Sequence, residues 1–249
     1  MKLFWSVILL AITTISESSA QELRRDLHSN YDTAIKIYLT IDDGPSAASS
    51  YINSLSVSDS LKINVFLVGE QAYKSKEMRL AVEQYKANQF VEAGNHSYSH
   101  ANAHYWKYYT NAKEVLGDFI MNKDTLALLN NTARLPGRNA WRIGSRRRFD
   151  LVDAVEAADL LAANKFRVFG WDLEWYCNAT KPEIESAESI MDRIDKVIKQ
   201  KSAMTTGHVV ILCHEVMFTT QYGRGQLAGL LQKIKDRPDY QFEWLSRYP

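Results

Sequence analysis

The sequence predicts an α/β domain built on a parallel sheet or an α/β barrel, and three observations carry that prediction. Short apolar runs rich in β-branched residues alternate along the chain with longer stretches of helical periodicity. Nothing between them reads as a linker, an internal repeat or a low-complexity tract, so the segments belong to one domain. At 249 residues, 46% hydrophobic and 24% charged, the chain has the size and composition to bury one large core.

Residues 1–20, MKLFWSVILLAITTISESSA, place Lys2 before an apolar run from Leu3 to Ile15 and small residues Ser18, Ser19 and Ala20 before Gln21. This pattern predicts a cleaved signal peptide over 1–20, leaving 21–249 as the domain. The apolar run is shorter than the roughly 20 residues that span a bilayer. The expected product is exported, to the periplasm or the extracellular space, with no stable membrane anchor after cleavage. Thirty basic and twenty-nine acidic residues give a net charge of +1, which excludes a nucleic-acid binder relying on massed lysine and arginine. In an oxidising compartment a bridge between Cys177 and Cys213 is permitted, although a domain of this size does not need one.

Seven strand candidates follow: 35–42, 62–69, 89–95, 132–137, 167–173, 208–215 and 240–245. Helical stretches over 74–87, 111–130, 149–165, 186–201 and 223–236 separate most of them. Within 149–165 the residues Phe149, Val152, Val155, Ala158 and Leu161 recur at helical spacing, as in a helix lying on a sheet. In parallel α/β architectures ligands gather at the carboxyl ends of strands, so the residues after each strand are the ones to inspect.

The first strand ends in Asp42 and Asp43, within TIDDGPS. Two adjacent carboxylates before Gly-Pro suit a plain turn, and they become functional when a metal claims one and leaves the other as a base. The third strand ends in GNHSYSH, where His96 and His100 are spaced so that one turn of helix would put both imidazoles on one face. His104 continues the spacing and would sit a turn too far away. Two histidines and an aspartate make a three-ligand set with an open position for water, as in a catalytic zinc-type centre. After the fourth strand Arg134 can hold the base carboxylate in place and ionised. After the sixth, His214 stands where a second proton-transfer group is needed, and Asp172 can orient its ring. Between them RNAWRIGSRRR (138–148) carries five arginines and Trp141, read here as a rim loop, with Trp141 stacking on a sugar face and the arginines meeting an anionic glycan or lipid headgroup, or as a solvated basic loop. Tyr105, Trp106, Tyr108 and Tyr109 read as a sugar platform or as barrel packing.

In this order the motifs TIDDG (40–44), HSYSH (96–100), RLPG (134–137), WDLEW (171–175) and LCH (212–214) resemble those of the polysaccharide deacetylases, carbohydrate esterase family four with its NodB homology domain. The resemblance implies a single-domain distorted (β/α)7 barrel that removes N-acetyl groups from N-acetylglucosamine units of a glycan. It also implies one divalent metal ion, zinc first and cobalt, nickel or manganese after it. Asp42 would be the general base, Asp43, His96 and His100 the metal ligands, Arg134 the orienting cation and His214 the general acid. The Gly137 N–H would help hold the oxyanion, and Trp175 and Leu212 would line the slot for the acetyl methyl. Two departures stand out: the fourth motif is one residue shorter than usual, and Gly137 replaces the aromatic that more often follows the proline, which would open the site locally. Hydrolysis of another small amide or an acetyl ester, and glycan binding without turnover, are the competing functions.

Overall fold

The structure is a computed structural model that describes residues 34–177 and 184–249. The leader expected over 1–20 lies outside them. Among the described residues no helix is long and apolar enough to cross a membrane.

The strands are β1 (Ile35–Gly44), β2 (Ile63–Leu67), β3 (Val91–Asn95), β4 (Thr132–Ala133), β5 (Ala140–Ile143), β6 (Arg146–Phe149), β7 (Arg167–Val168), β8 (Leu173–Glu174), β9 (His208–His214) and β10 (Tyr240–Phe242). They form one curled sheet in the order β6-β5-β7-β4-β3-β2-β1-β9-β8, and β10 lies beside the start of β1. Eight of them, β1 to β4 and β7 to β10, run parallel. The outcome is an α/β half-barrel, the distorted barrel that the sequence led us to expect.

Alternation along the strands explains how both faces of the sheet are buried. Ile37, Leu39 and Ile41 of β1 and Val209, Ile211 and Cys213 of β9 join the cluster shared with the outer helices. Tyr38, Phe66 and Val210 point the other way, into an interior cluster with Trp141, Phe169 and Tyr248. The outer layer is α1 (Ser49–Ser58), α2 (Lys76–Ala87), α3 (Ala112–Leu126), α4 (Val155–Ala163), α5 (Ala187–Gln200) and α6 (Gln221–Lys235). Ser75, Asn111, Ser186 and Thr220 cap four of these through their side chains, each satisfying a first-turn N–H that would otherwise lack a partner. Cys177 and Cys213 are both free thiols, Cys213 buried against the helices.

Two segments differ from the sequence expectation in ways that matter for the site. The run 167–173, expected as one strand, is two: β7 pairs with β4, and β8 pairs with β9 at the opposite end of the sheet. The Phe169 N–H still donates to Ala133, while the Asp172 N–H already donates to Val210. The curled sheet is therefore closed across Gly170 and Trp171 by covalent chain, without a ladder of hydrogen bonds. The basic stretch 138–148, expected as a loop, is the antiparallel hairpin β5–β6 attached to β7.

Candidate active site

The carboxyl ends of the strands meet at one level. Asp42 pairs in register with His214 across β1 and β9, Leu67 with Asn95 across β2 and β3, and Asn95 with Ala133 across β3 and β4. The residues that follow these pairs surround a cleft of about 320 Å³ lined by Asp42, Asp43, His96, His100, Gly137, Leu212 and His214, together with Tyr105, Leu135, Asp150, Trp171 and Glu174.

Asp43, His96 and His100 each offer a ligand atom within 4.8 Å of the others. His100 Nε2 lies 3.0 Å from Asp43 Oδ1 and His96 Nε2 lies 3.4 Å from it. That oxygen is nonetheless buried without a hydrogen-bond partner. A carboxylate oxygen and two ring nitrogens that face one another unpaired are a donor set for a cation, and their types suit a zinc-like ion. His96 Nδ1 sits 2.9 Å from the Arg134 carbonyl, which accepts its proton and leaves Nε2 as the lone-pair nitrogen facing Asp43. Burial alone would raise the Asp43 pKa, but the His100 and His96 imidazoles outweigh it and hold the carboxyl well below its ordinary range. Burial likewise opposes charge on His96, and the Asp42 and Asp43 carboxylates reverse that, raising it.

The histidine pair meets by a route other than the helical turn expected. Ser97, His100, Ala101, Asn102 and Ala103 all have positive φ, so the segment is a left-handed loop. It is held by Asn95, whose Oδ1 accepts from the Ser97 N–H and from Asn122 while its amide donates to the Phe119 carbonyl. The two imidazole centroids are 5.1 Å apart. Asp43 itself has φ of 65°, a conformation that costs a non-glycine residue about 1 kcal/mol or more. His104 lies outside the cluster, in a neighbouring hollow with Lys107 and Glu114.

Asp42 is 2% exposed, its Oδ1 bonded to Arg134 Nη1 at 2.9 Å and its Oδ2 3.6 Å from His96 Nε2. Arg134 is fully buried and also donates to Thr40 Oγ1, Phe169 O and Gly170 O. The two carbonyls belong to the closure between β7 and β8, so one guanidinium both holds the carboxylate and satisfies backbone that the missing ladder leaves unpaired. Gly137, with φ of 63°, keeps its N–H without an acceptor among the described residues. The expected opening at Gly137 is filled: a Cβ there would come within 3.1 Å of the Tyr105 ring, which stands edge-on to His100.

Four sequence expectations are corrected. Asp172 does not hold His214: its buried carboxylate accepts from Arg148 and from the Met204 and Val210 N–H groups. Glu174, two residues on, is the acidic residue of that motif that lines the cleft with His214. Trp175 is buried behind the wall, its indole N–H bonded to the Glu185 carbonyl and its ring edge-on to Phe218. Trp141 is also fully buried, within the interior aromatic cluster, and cannot stack on a sugar. Four of the five arginines are already paired with carboxylates, Arg138 with Asp153, Arg142 and Arg147 with Asp159, and Arg148 with Asp172, while Arg146 donates to the Thr205 hydroxyl.

The sequence read without foresight missed Asp150, Trp171, Glu174 and Leu135 as lining residues, and Glu215 beneath the aspartates. Glu215 is fully buried and accepts from the hydroxyls of Ser46, Ser49 and Tyr85, which fastens the turn after Asp43 to the residue after His214. Only its place beside His214 in the sequence hinted at this.

Residues 29–134 match the family described as Polysaccharide deacetylase. No curated protein sequence matches at a significant level. Among solved structures, the catalytic domain of peptidoglycan N-acetylglucosamine deacetylase from Eubacterium rectale superposes with a TM-score of 0.62 at 17% identity, covering 86% of this chain and 90% of that one. A CE4 esterase from Streptococcus mutans gives 0.63 at 17% identity over 88% and 89%. A mutant of a CE4 family pseudoenzyme gives 0.59 at 16% identity over 86% and 66%, and a mutant with restored enzymatic activity is similar too. At these identities the likeness carries the fold. Over residues 29–134, which carry TIDDG and HSYSH and bring Asp43, His96 and His100 together, the chain is similar to the polysaccharide deacetylase family, and its α/β half-barrel is the fold of these solved structures.

Proposed function

We propose that this protein is an exported, metal-dependent hydrolase that removes N-acetyl groups from N-acetylglucosamine units of a polysaccharide or oligosaccharide and releases acetate. The observation that carries the reading is the unpaired, buried Asp43 Oδ1 facing His96 and His100, beside an Asp42 fixed by Arg134. Asp43, His96 and His100 would hold a divalent ion, zinc first among candidates, and such an ion would supply Lewis acidity at a carbonyl and lower the pKa of water toward about 7.

The chain's own residues do the rest. Asp42, ionised beside Arg134, takes the proton of the attacking water. The Gly137 N–H points a donor at the oxygen that becomes negative, an interaction generally worth about 3 to 4 kcal/mol. His214, level with Asp42 on the adjacent strand, gives a proton to the departing sugar nitrogen. Leu212, on the same face of β9 two residues before it, lines the wall where the acetyl methyl would lie. Glu174 and not Asp172 is the carboxylate on that wall.

Acetate release from chitin oligomers, peptidoglycan and acetylxylan, with and without chelator, tests the reading. Chelator-sensitive release from the N-acetylated glycans supports it. Release from acetylxylan alone points to an ester hydrolase, and glycan binding without release in the presence of added Zn²⁺ or Co²⁺ points to a binding protein on this scaffold.

A further inference from the structure

The charge of the cleft wall is opposite to what the basic hairpin sequence suggested. Among the twelve residues lining the cleft are Asp42, Asp43, Asp150 and Glu174, and no lysine or arginine. The inner pair is accounted for, Asp42 by Arg134 and Asp43 by the metal-ligand set. The outer pair is not. Asp150 accepts only the Asn139 and Leu151 N–H groups, and the Glu174 carboxylate has no hydrogen bond or ion pair among the described residues. The arginines nearest this wall are already bound: Arg138 to both oxygens of Asp153, and Arg148 to Asp172.

Several large apolar side chains next in sequence to the lining residues are exposed. Trp106 follows Tyr105, Leu151 and Val152 follow Asp150, Tyr176 lies two residues after Glu174, and Val216 two after His214. Trp106 is 72% exposed and Val152 89%. Large apolar side chains left in water next to lining residues suit the faces of uncharged sugar rings.

We infer that the cleft selects uncharged glycans and discriminates against carboxylate-bearing ones, so a chitin-type chain fits it better than a muramoyl-containing one. The inference rests on the deacetylase reading above. Its physical basis is local repulsion at the outer wall, away from the metal-ligand set: a substrate carboxylate entering beside Asp150 and Glu174 meets two like charges, and no lysine or arginine lines the cleft to offset them.

The test uses the metal-loaded protein and three N-acetylglucosamine oligomers of one length: the unmodified oligomer, one with a lactyl carboxylate on alternate units, and the carboxamide of the latter, which keeps the bulk without the charge. At low salt we expect kcat/KM for acetate release from the carboxamide to exceed that from the carboxylate by about tenfold. The ratio should shrink toward unity in Asp150→Asn and in 1 M salt, where screening acts within about 3 Å. Equal turnover of carboxylate and carboxamide, or a ratio that neither the substitution nor salt changes, overturns the inference. Binding of the same oligomers, followed by intrinsic tryptophan fluorescence, reads the charge preference independently of turnover. Absence of acetate release from all three therefore sinks the deacetylase reading, while an absent charge preference in binding sinks this one.

Discussion

Replacing Arg134 with methionine separates its two jobs. The side chain is fully buried and donates to Asp42, Thr40 and the carbonyls of Phe169 and Gly170. Losing the ion pair strands the Asp42 carboxylate in the interior, a change that costs about 3–5 kcal/mol. The two carbonyls lose their donor as well, at about 1–3 kcal/mol each where water does not replace it. Arg134→Met should therefore destabilise by at least about 5 kcal/mol, lowering Tm by about 10–20 °C for a domain of this size. In an Asp42→Asn background no charge is stranded, and the cost of Arg134→Met should fall to what the carbonyls carry, about 2 kcal/mol or more. Urea unfolding of the four metal-free proteins by circular dichroism measures the cycle. A cost of Arg134→Met below about 1 kcal/mol in the Asp42→Asn background would refute the claim that Arg134 holds the closure between β7 and β8.

Asp42→Asn should retain metal and lose turnover, whereas His96→Ala should lose both; His214→Ala should keep metal and slow turnover by about 10² to 10⁴. Metal content and acetate release, measured together, check all three. Trp141→Ala should cost about 3–5 kcal/mol of stability in urea unfolding, as a core truncation does, while each surviving folded molecule keeps its KM for glycan; a raised KM would return Trp141 to the binding surface. Burial raises the Glu215 carboxyl above its ordinary range, against the pull of the Ser49, Ser46 and Tyr85 hydroxyls. Between the two values the folded state holds more protons than the unfolded, so stability falls as pH rises from the ordinary carboxylate range through the raised value. Glu215→Gln should flatten that slope in unfolding experiments at stepped pH, and an unchanged slope assigns it to other groups.

Much of the fold was legible because β1 and β9 are long, apolar on both faces and bounded by turn chemistry. What was not legible depends on contacts distant in sequence. Residues 167–173 look like one strand, and only the positions of β4 and β9 divide them. A run of arginines looks like a solvated loop until Asp153, Asp159 and Asp172 arrive to pair it. Helix α1 is short and serine-rich, with only Ser49, Ile52 and Ser56 buried, so its periodicity is faint. The convergence of Asp43, His96 and His100 followed from motif order, but the expected helical turn does not exist, and left-handed residues bring the rings together instead. Near the fourth motif the choice between Asp172 and Glu174 is a one-residue question of which face of a strand each occupies. Sequence spacing in a shortened motif leaves that question open.

The double duty of Arg134 bears on how the proposed activity could be lost without loss of the fold. An inactive descendant of this protein would still need Arg134 to close its barrel, and Asp172 and Trp175 to support the wall behind the cleft. Keeping those three says nothing about turnover. Asp43 and His100 are different: both sit at positive φ, and the oxygen between them has no bond to give the fold. Drift would relieve that strain at no structural loss once the chemistry ceased to matter. Their presence, more than that of the buried arginine, is what the proposed metal-dependent activity requires.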